Sequence, residues 1–137
     1  MASPTRPSPG THVPTEVSLA LIAVAFPILP GKTDEWRNFV GEISGPRHAE
    51  FVESRRRAGV RERTFLQQTP MGDLVIVTVE GDDPMRSFGQ MISGTDAFTT
   101  WFLERVKALH GTDLTVPMAG PPSELVLDTE RVAVLAR

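Results

Sequence analysis

The sequence predicts an α+β domain whose elements follow the order β-α-β-β-α-β. Runs of strand-forming apolar residues occupy 17–29 and 73–80, and each run precedes a stretch with helical periodicity. The chain also repeats itself, because EISGP (42–46) aligns with MISGT (91–95) and further residues match on either side. Such a repeat predicts two similar β-α-β halves. Two halves in this order form a ferredoxin-like arrangement with an antiparallel sheet.

The first half begins with the strand at 17–29, which is apolar at every position from 19 to 26. We expect a helix to follow, with Thr33 as its N-cap and acidic residues in its first turn. The segment 44–46 (Ser-Gly-Pro) interrupts this helix, because proline is unfavourable in a helix interior. The apolar residues before the break recur at helical spacing; they are Trp36, Phe39, Val40 and Ile43.

The second half follows a predicted turn at 69–72, where proline and glycine occupy typical turn positions. The strand 73–80 is the clearest in the chain, and a second interrupted helix comes after it. Residues 112–118 are predicted as a fourth strand, and 124–128 as a candidate extra strand. Caps and breaks of the second helical part are predicted at Asp83, Pro84, Ser93, Gly94, Asp96 and Gly111.

Length and composition favour a single domain at 17–118, between a disordered Pro-rich tail at 1–16 and a C-terminal extension at 119–137. The formal net charge is −3 and the pI is about 5.6, which argues against nucleic acid as a partner. The apolar run at 17–29 is too short to span a membrane as a helix. We therefore expect a cytoplasmic protein that has no membrane partner.

Both predicted strands are apolar on their two faces, since residues 74–77 and 19–26 show no alternation with polar residues. A sheet with helices on one face and water on the other should alternate. The helices can cover only one face. A second copy of the chain is the simplest cover for the other, so the sequence predicts a homodimer.

The stretch RRRAGVRERTF (55–65) concentrates arginine in an acidic chain, and three interpretations are open. In the first, the arginines at 55–57 interact favourably with the C-terminal end of a helix. The following strand then forms a cross-strand ion pair, because the predicted turn places Arg61 opposite Glu80 and Arg63 opposite Thr78. In the second, Arg63 or Arg55 binds an anionic group at the mouth of a pocket. The third, nucleic-acid binding, lacks the exposed aromatic residues that stack on bases.

His48 is the histidine that the pattern singles out, because it lies on one helical stripe with Phe51 and Val52. One interpretation is a buried structural histidine with a single hydrogen bond. The other is a general base or a haem ligand. A zinc site would need three or four ligands, which a lone histidine does not supply. His110 is explained by a favourable contact with the end of its helix.

The aromatic and methionine residues of the helical stripes either form plain core or line a cavity for an apolar ligand that contains a ring. The Ser-Gly breaks favour a cavity, because a kink opens space between helix and sheet. The residues in question are Trp36, Phe88, Met91, Trp101 and Phe102.

The element order, the doubly apolar sheet and the WRNFV helix (36–40) resemble the dimeric α+β barrel superfamily over residues 17–118. That superfamily includes antibiotic-biosynthesis monooxygenases and stress-responsive barrel proteins. The resemblance implies two sheets that pack face to face in a dimer, with a ligand between the sheet and the helices of each subunit. It also implies activity as a cofactor-free oxygenase or an isomerase, haem handling, or no catalysis.

The sequence thus predicts a small-molecule-binding protein, oxygenase-like or isomerase-like, that needs no cofactor. A non-catalytic dimeric module and a haem-binding protein are the alternatives. The catalytic candidates are His48 and Arg63. The substrate-binding candidates are Trp36, Arg55, Trp101, Phe88 and Met91.

Overall fold

The computed structural model describes residues 20–116 and 122–130 of the 137-residue chain. The predicted tail at 1–16 and the beginning of the first predicted strand lie outside these residues. The described residues form three strands and four helices. In chain order they are β1 (Ala20–Pro27), α1 (Thr33–Ser44), α2 (His48–Ala58), β2 (Val60–Thr69), β3 (Gly72–Gly81), α3 (Pro84–Ile92) and α4 (Ala97–His110).

The strands form one antiparallel sheet in the order β1-β3-β2, which confirms an α+β fold. The β2–β3 hairpin has the predicted register, with Gln68 opposite Asp73 and Arg61 opposite Glu80. The turn between them contains Pro70, and Gly72 has a positive φ of 127°, which glycine adopts without strain. Local turn chemistry therefore set the register of this hairpin.

Both predicted helix breaks are present. The first helix stops at Ser44, whose hydroxyl donates a hydrogen bond to the Val40 carbonyl at 2.6 Å, and α2 begins at His48. The second helical part breaks after Ile92 and resumes at α4, where the Asp96 carboxylate accepts from the Thr99 amide at 3.1 Å. Each break divides one long helical segment into two shorter helices.

Thr33 is not an N-cap as the sequence suggested, but the first residue of α1. Its hydroxyl donates a hydrogen bond to Asp73 Oδ2 at 2.7 Å, and this bond joins the beginning of α1 to the beginning of β3. Donation from Thr33 and Gln68 lowers the pKa of Asp73 below its ordinary value. The Thr33 hydroxyl therefore binds a residue of another element and does not cap its own helix.

The predicted fourth strand is wrong for residues 112–116, which form a turn. Asp113 accepts hydrogen bonds from the amide and the hydroxyl of Thr115, at 2.9 and 2.5 Å, and such local bonds compete with strand pairing. Residues 117 and 118 lie outside the described residues. The candidate extra strand at 124–128 has no strand structure either, although the Ser123 hydroxyl donates a hydrogen bond to the Ala23 carbonyl of β1.

The two faces of the sheet differ sharply in burial. One face carries Val75 and Val79, at 2% and 0% exposure, and packs against the helices. The other face, here called the open face, carries apolar residues of all three strands, and Leu21 and Phe65 are each 52% exposed there. Its other apolar residues are Ala23, Ala25, Pro27, Leu74 and Ile76.

The helices of the described residues are all too short or too polar to cross a membrane.

Candidate ligand cavity between the helices and the sheet

A cavity of about 290 Å³ lies between the helices and the packed face of the sheet. This volume is at the lower end of the range of small-molecule sites, roughly 300–1,000 Å³. The walls are mostly apolar, as expected of such a site. The sheet contributes Phe26, Thr64, Val75, Val77 and Val79, and the helices contribute mainly Trp36, Phe39, Val40, Ile43, Phe51, Phe88, Met91, Ile92, Phe102 and Val106.

One end of the cavity holds a buried ion pair between Arg55 and Glu62. Arg55 Nε lies 2.6 Å from Glu62 Oε1, and the two side chains are only 9% and 7% exposed. The backbone brings them together because Gly59 ends α2 in the left-handed conformation, with φ of 73°, and turns the chain into β2. The third residue of β2 then lies beneath the last turn of the helix.

The guanidinium of Arg55 is held on several sides. It stacks over the rings of Phe51 and Phe102, at 4.6 and 4.9 Å from their centroids, and its Nη1 donates to Ser54 Oγ at 3.0 Å. Among the described residues, no hydrogen bond involves Arg55 Nη2 or Glu62 Oε2. Arg55 Nη2 and Glu62 Oε2 thus keep their hydrogen-bonding capacity, and both residues line the cavity.

His110 is the second polar group in the cavity wall, and it is only 8% exposed. Its Nδ1 lies 2.9 Å from the carbonyl oxygen of Pro27, which can only accept, so Nδ1 carries the proton. Burial lowers the pKa of His110 below 6.5, and the bond to Pro27 offsets this only in part. The ring is thus neutral at pH 7, and Nε2 carries a lone pair that can accept a proton or a hydrogen bond.

The two polar groups lie toward opposite ends of the cavity. Glu62 pairs with Val79 of β3, whereas Phe26, whose ring packs 5.6 Å from that of His110, pairs with Val75. Four residues of strand at about 3.3 Å each separate these positions by roughly 13 Å. An elongated ligand, polar at both ends and apolar between them, would match this arrangement.

Five of the predicted site residues line the cavity together: Trp36, His48, Arg55, Phe88 and Met91. Trp101 is not among the lining residues. It packs on the rings of Phe39 and Phe98 at 5.4 and 5.8 Å, and the Arg47 guanidinium lies 4.1 Å over its ring.

His48 lines the cavity at the first turn of α2 but is exposed, so the interpretation as a buried structural histidine is wrong. Val52, on the same stripe, is 48% exposed. Phe51 and Arg55 lie at i+3 and i+7 from His48, so they form the same side of α2 farther along the helix. The ion pair with Glu62 neutralises Arg55, so this charged residue can be buried there.

Arg63 lies on the open face, away from the cavity, and its Nη2 is 3.2 Å from Glu80 Oε1. The predicted cross-strand ion pair is therefore present, but Arg63 forms it in place of Arg61. A long side chain reaches the diagonal neighbour across an antiparallel pair. The exposed Arg56 forms a surface pair with Glu53 at 2.7 Å, so most of the arginine-rich stretch belongs to the surface.

Sequence reasoning missed Glu62 and His110. Side chains alternate between the two faces of a strand, so Glu62 lies on the opposite face of β2 from Arg61 and Arg63. This alternation was a signal that Glu62 faces the helices. The position of His110 before Gly111 resembles an ordinary helix end, so the sequence carried no sign of the bond to Pro27.

Within residues 20–116 and 122–130, no three histidine or acidic side chains lie close enough together to hold a metal ion. The buried polar groups of the cavity are the Arg55–Glu62 pair and His110, and the exposed polar residues Ser44, His48 and Thr64 also line it. Comparisons of the chain with models of protein families, with curated proteins and with solved structures gave no match.

Proposed function

We propose that the chain binds a small, mostly apolar molecule in the cavity between the helices and the sheet. The observation that carries the proposal is a cavity of about 290 Å³ with apolar walls and polar groups at both ends. Protein interiors are close-packed, and voids larger than a water molecule are few. A fully packed structural module would not need such a space, nor a buried ion pair in its wall.

A fluorescence titration with Prodan, a neutral naphthalene ketone that emits at shorter wavelength in apolar surroundings, tests the proposal. Thr64 lines the cavity but is exposed, so Thr64→Trp should fill the cavity with little strain. We expect saturable binding with a blue shift for the wild type and loss of binding for Thr64→Trp. The matched control is Gln90→Trp, at an exposed position of α3 outside the cavity, and it should bind like the wild type.

Absence of Prodan binding to the wild type, or equal binding by Thr64→Trp, would contradict the proposal and favour the packed, non-catalytic module. Haemin added to the protein tests the haem-binding alternative separately. A Soret shift that His48→Ala abolishes would support that alternative, because His48 borders the cavity.

Catalysis of isomerase type is the second candidate function, and the fixed tautomer of His110 favours it. With Nδ1–H bonded to the Pro27 carbonyl, Nε2 is the atom that can take a proton from a bound molecule and return it. An oxygenase-like reaction would begin with the same removal of a proton. His110→Gln should abolish turnover of a substrate while leaving Prodan binding within about twofold, since the apolar walls remain intact.

We further propose that two copies associate through the open face, in a cytoplasmic homodimer of the ferredoxin-like barrel type. The strand order β1-β3-β2 supports this proposal, because the first three strands of a ferredoxin-like sheet have the same order. The open face combines exposed apolar residues with Arg61, Arg63 and Glu80, so it carries both charges that a two-fold interface can pair.

Sedimentation at micromolar concentration tests the dimer. The wild type should sediment as a dimer, and Ile76→Glu should sediment as a folded monomer, because two buried carboxylates would face each other near the axis. Gln90→Glu adds the same charge to the outer surface and should leave the dimer intact. A folded wild-type monomer under these conditions would refute the dimer.

A further inference from the structure

We infer that the Arg55–Glu62 pair makes the cavity selective for neutral ligands that carry a hydrogen-bond donor beside an acceptor, as a primary amide does, over the corresponding carboxylates. The inference rests on the proposed function, because it concerns the ligand of the same cavity. It replaces the anion-binding role that the sequence suggested for Arg55 and Arg63.

The charge of the cavity supports the inference. Among the residues that line the cavity there is one arginine, Arg55, and Glu62 Oε1 at 2.6 Å neutralises it, while His48 lies at the exposed edge. His110, at the other end, is neutral at pH 7, since burial lowers its pKa. Arg63 lies on the open face, and Arg56 is exposed and bonded to Glu53. A ligand carboxylate would therefore lose its hydration without finding an uncompensated cation, and burial of such a charge is unfavourable.

The hydrogen-bonding groups of the pair support the same conclusion. Arg55 Nη2 can donate and Glu62 Oε2 can accept, while the remaining bond between the two residues stays in place. A primary amide offers a carbonyl to the first and an N–H to the second. A carboxylate can use only the donor, and its other oxygen would face the Glu62 carboxylate.

The Arg55–Glu62 pair and His110 together suggest the shape of a suitable probe. In 6-hydroxy-2-naphthamide, the amide and the hydroxyl point to opposite ends of an apolar ring system, so the hydroxyl can donate to His110 Nε2. The matched compound is 6-hydroxy-2-naphthoate, which differs only in the charged end. Both compounds are fluorescent, and binding is measured at pH 7 by fluorescence and by competition with Prodan.

For the wild type we expect the amide to bind at least about tenfold more tightly than the carboxylate, a ratio that corresponds to roughly 1.4 kcal/mol. Glu62→Gln leaves Arg55 without its counter-charge, so the preference should reverse in favour of the carboxylate. Glu53→Gln also removes a carboxylate that binds an arginine of α2, but on the exposed surface. It should keep the wild-type preference.

Circular dichroism shows whether Glu62→Gln is folded. If that variant does not fold, the inference is tested by the ratio of the two dissociation constants for the wild type. The double variant Arg55→Gln/Glu62→Gln provides a second test and is expected to favour the amide. A wild type that binds the carboxylate as tightly as the amide overturns the inference, and so does failure to bind either compound while Prodan binds. In both cases the proposed function stands. Only a failure of Prodan to bind, or of Thr64→Trp to block it, overturns the proposed function itself.

Discussion

Breaking the Arg55–Glu62 pair from one side should strongly destabilise the protein. In Arg55→Met, the Glu62 carboxylate stays 7% exposed beneath α2, with its bond to Nε gone. Removal of one partner of a buried pair costs about 3–5 kcal/mol, because the other charge is left uncompensated. Methionine reaches only as far as the Nε position, so the substitution also removes the stacking of the guanidinium on Phe51 and Phe102. Comparison with a variant that lacks both charges separates this packing from the charge.

This loss is large compared with the stability of an ordinary domain, about 5–15 kcal/mol. It corresponds to a melting temperature lower by roughly 10–20 °C for a domain of this size. The double variant Arg55→Met/Glu62→Leu removes both charges and should recover most of the loss, since apolar replacements of buried pairs are often neutral or stabilising. The matched control is Arg56→Met, the next residue, whose pair with Glu53 is exposed and should contribute little.

Urea unfolding followed by far-ultraviolet circular dichroism measures these differences. The protein concentration must be the same for all variants, because association would add to the apparent stability. A loss below about 1 kcal/mol for Arg55→Met would show that Glu62 finds water in the native state, contrary to its burial. A double variant that is no more stable than the single variant would show that the guanidinium acts by packing and not by charge.

Three further predictions concern stability. Burial lowers the pKa of His110 below 6.5, so the unfolded chain takes up a proton first as the pH falls, and the free energy of unfolding should decrease below about pH 6.5. His110→Gln should make the free energy of unfolding, measured in urea, less dependent on pH in this range. An equal pH dependence in both proteins would contradict the prediction. Asp96→Ala removes the N-cap of α4 and should cost about 1 kcal/mol, seen as a lower urea midpoint with an unchanged slope. Gly81→Ala would bring a Cβ to 2.7 Å from the Gly59 carbonyl oxygen and should destabilise the protein by about 1–3 kcal/mol. In contrast, the Cβ of Gly41→Ala in α1 meets nothing within 4 Å, so this variant should be more stable by about 0.5–1 kcal/mol. Melting temperatures that shift in the same direction for both variants would refute this contrast.

Local features were predictable because their causes lie within a few residues of each other. Proline causes the helix break at 44–46, and the turn at 69–72 sets the register of the hairpin. The Asp96 carboxylate caps α4 because it accepts a hydrogen bond from the amide three residues later. Thr33 shows the limit of this reasoning, since its side chain bonds to Asp73, forty positions along the chain. In the predicted fourth strand, Asp113 instead accepts local hydrogen bonds from Thr115, which compete with strand pairing.

The site was predictable in part. Trp36, Phe88 and Met91 lie on helical stripes, and burial of such a stripe against a sheet follows from its periodicity. The same argument predicted burial for His48, which lines the cavity but is exposed, whereas Arg55 on the same side of α2 is buried. Periodicity assumes that apolar residues face inward, and it cannot anticipate a cation that is buried because a carboxylate of another element neutralises it.

By itself, the sequence determined the strands β1 and β3, the helical segments and their breaks, and how β2 and β3 pair, although it also predicted strands at 112–116 and 124–128 that are absent from the described residues. Backbone sterics, capping and side-chain periodicity decide these features, and all of them act over short distances. Only the tertiary structure decided that Arg55 meets Glu62, that His110 donates to Pro27, and that the space between them stays open. Those contacts join residues from different elements, so they depend on how whole helices pack against the sheet.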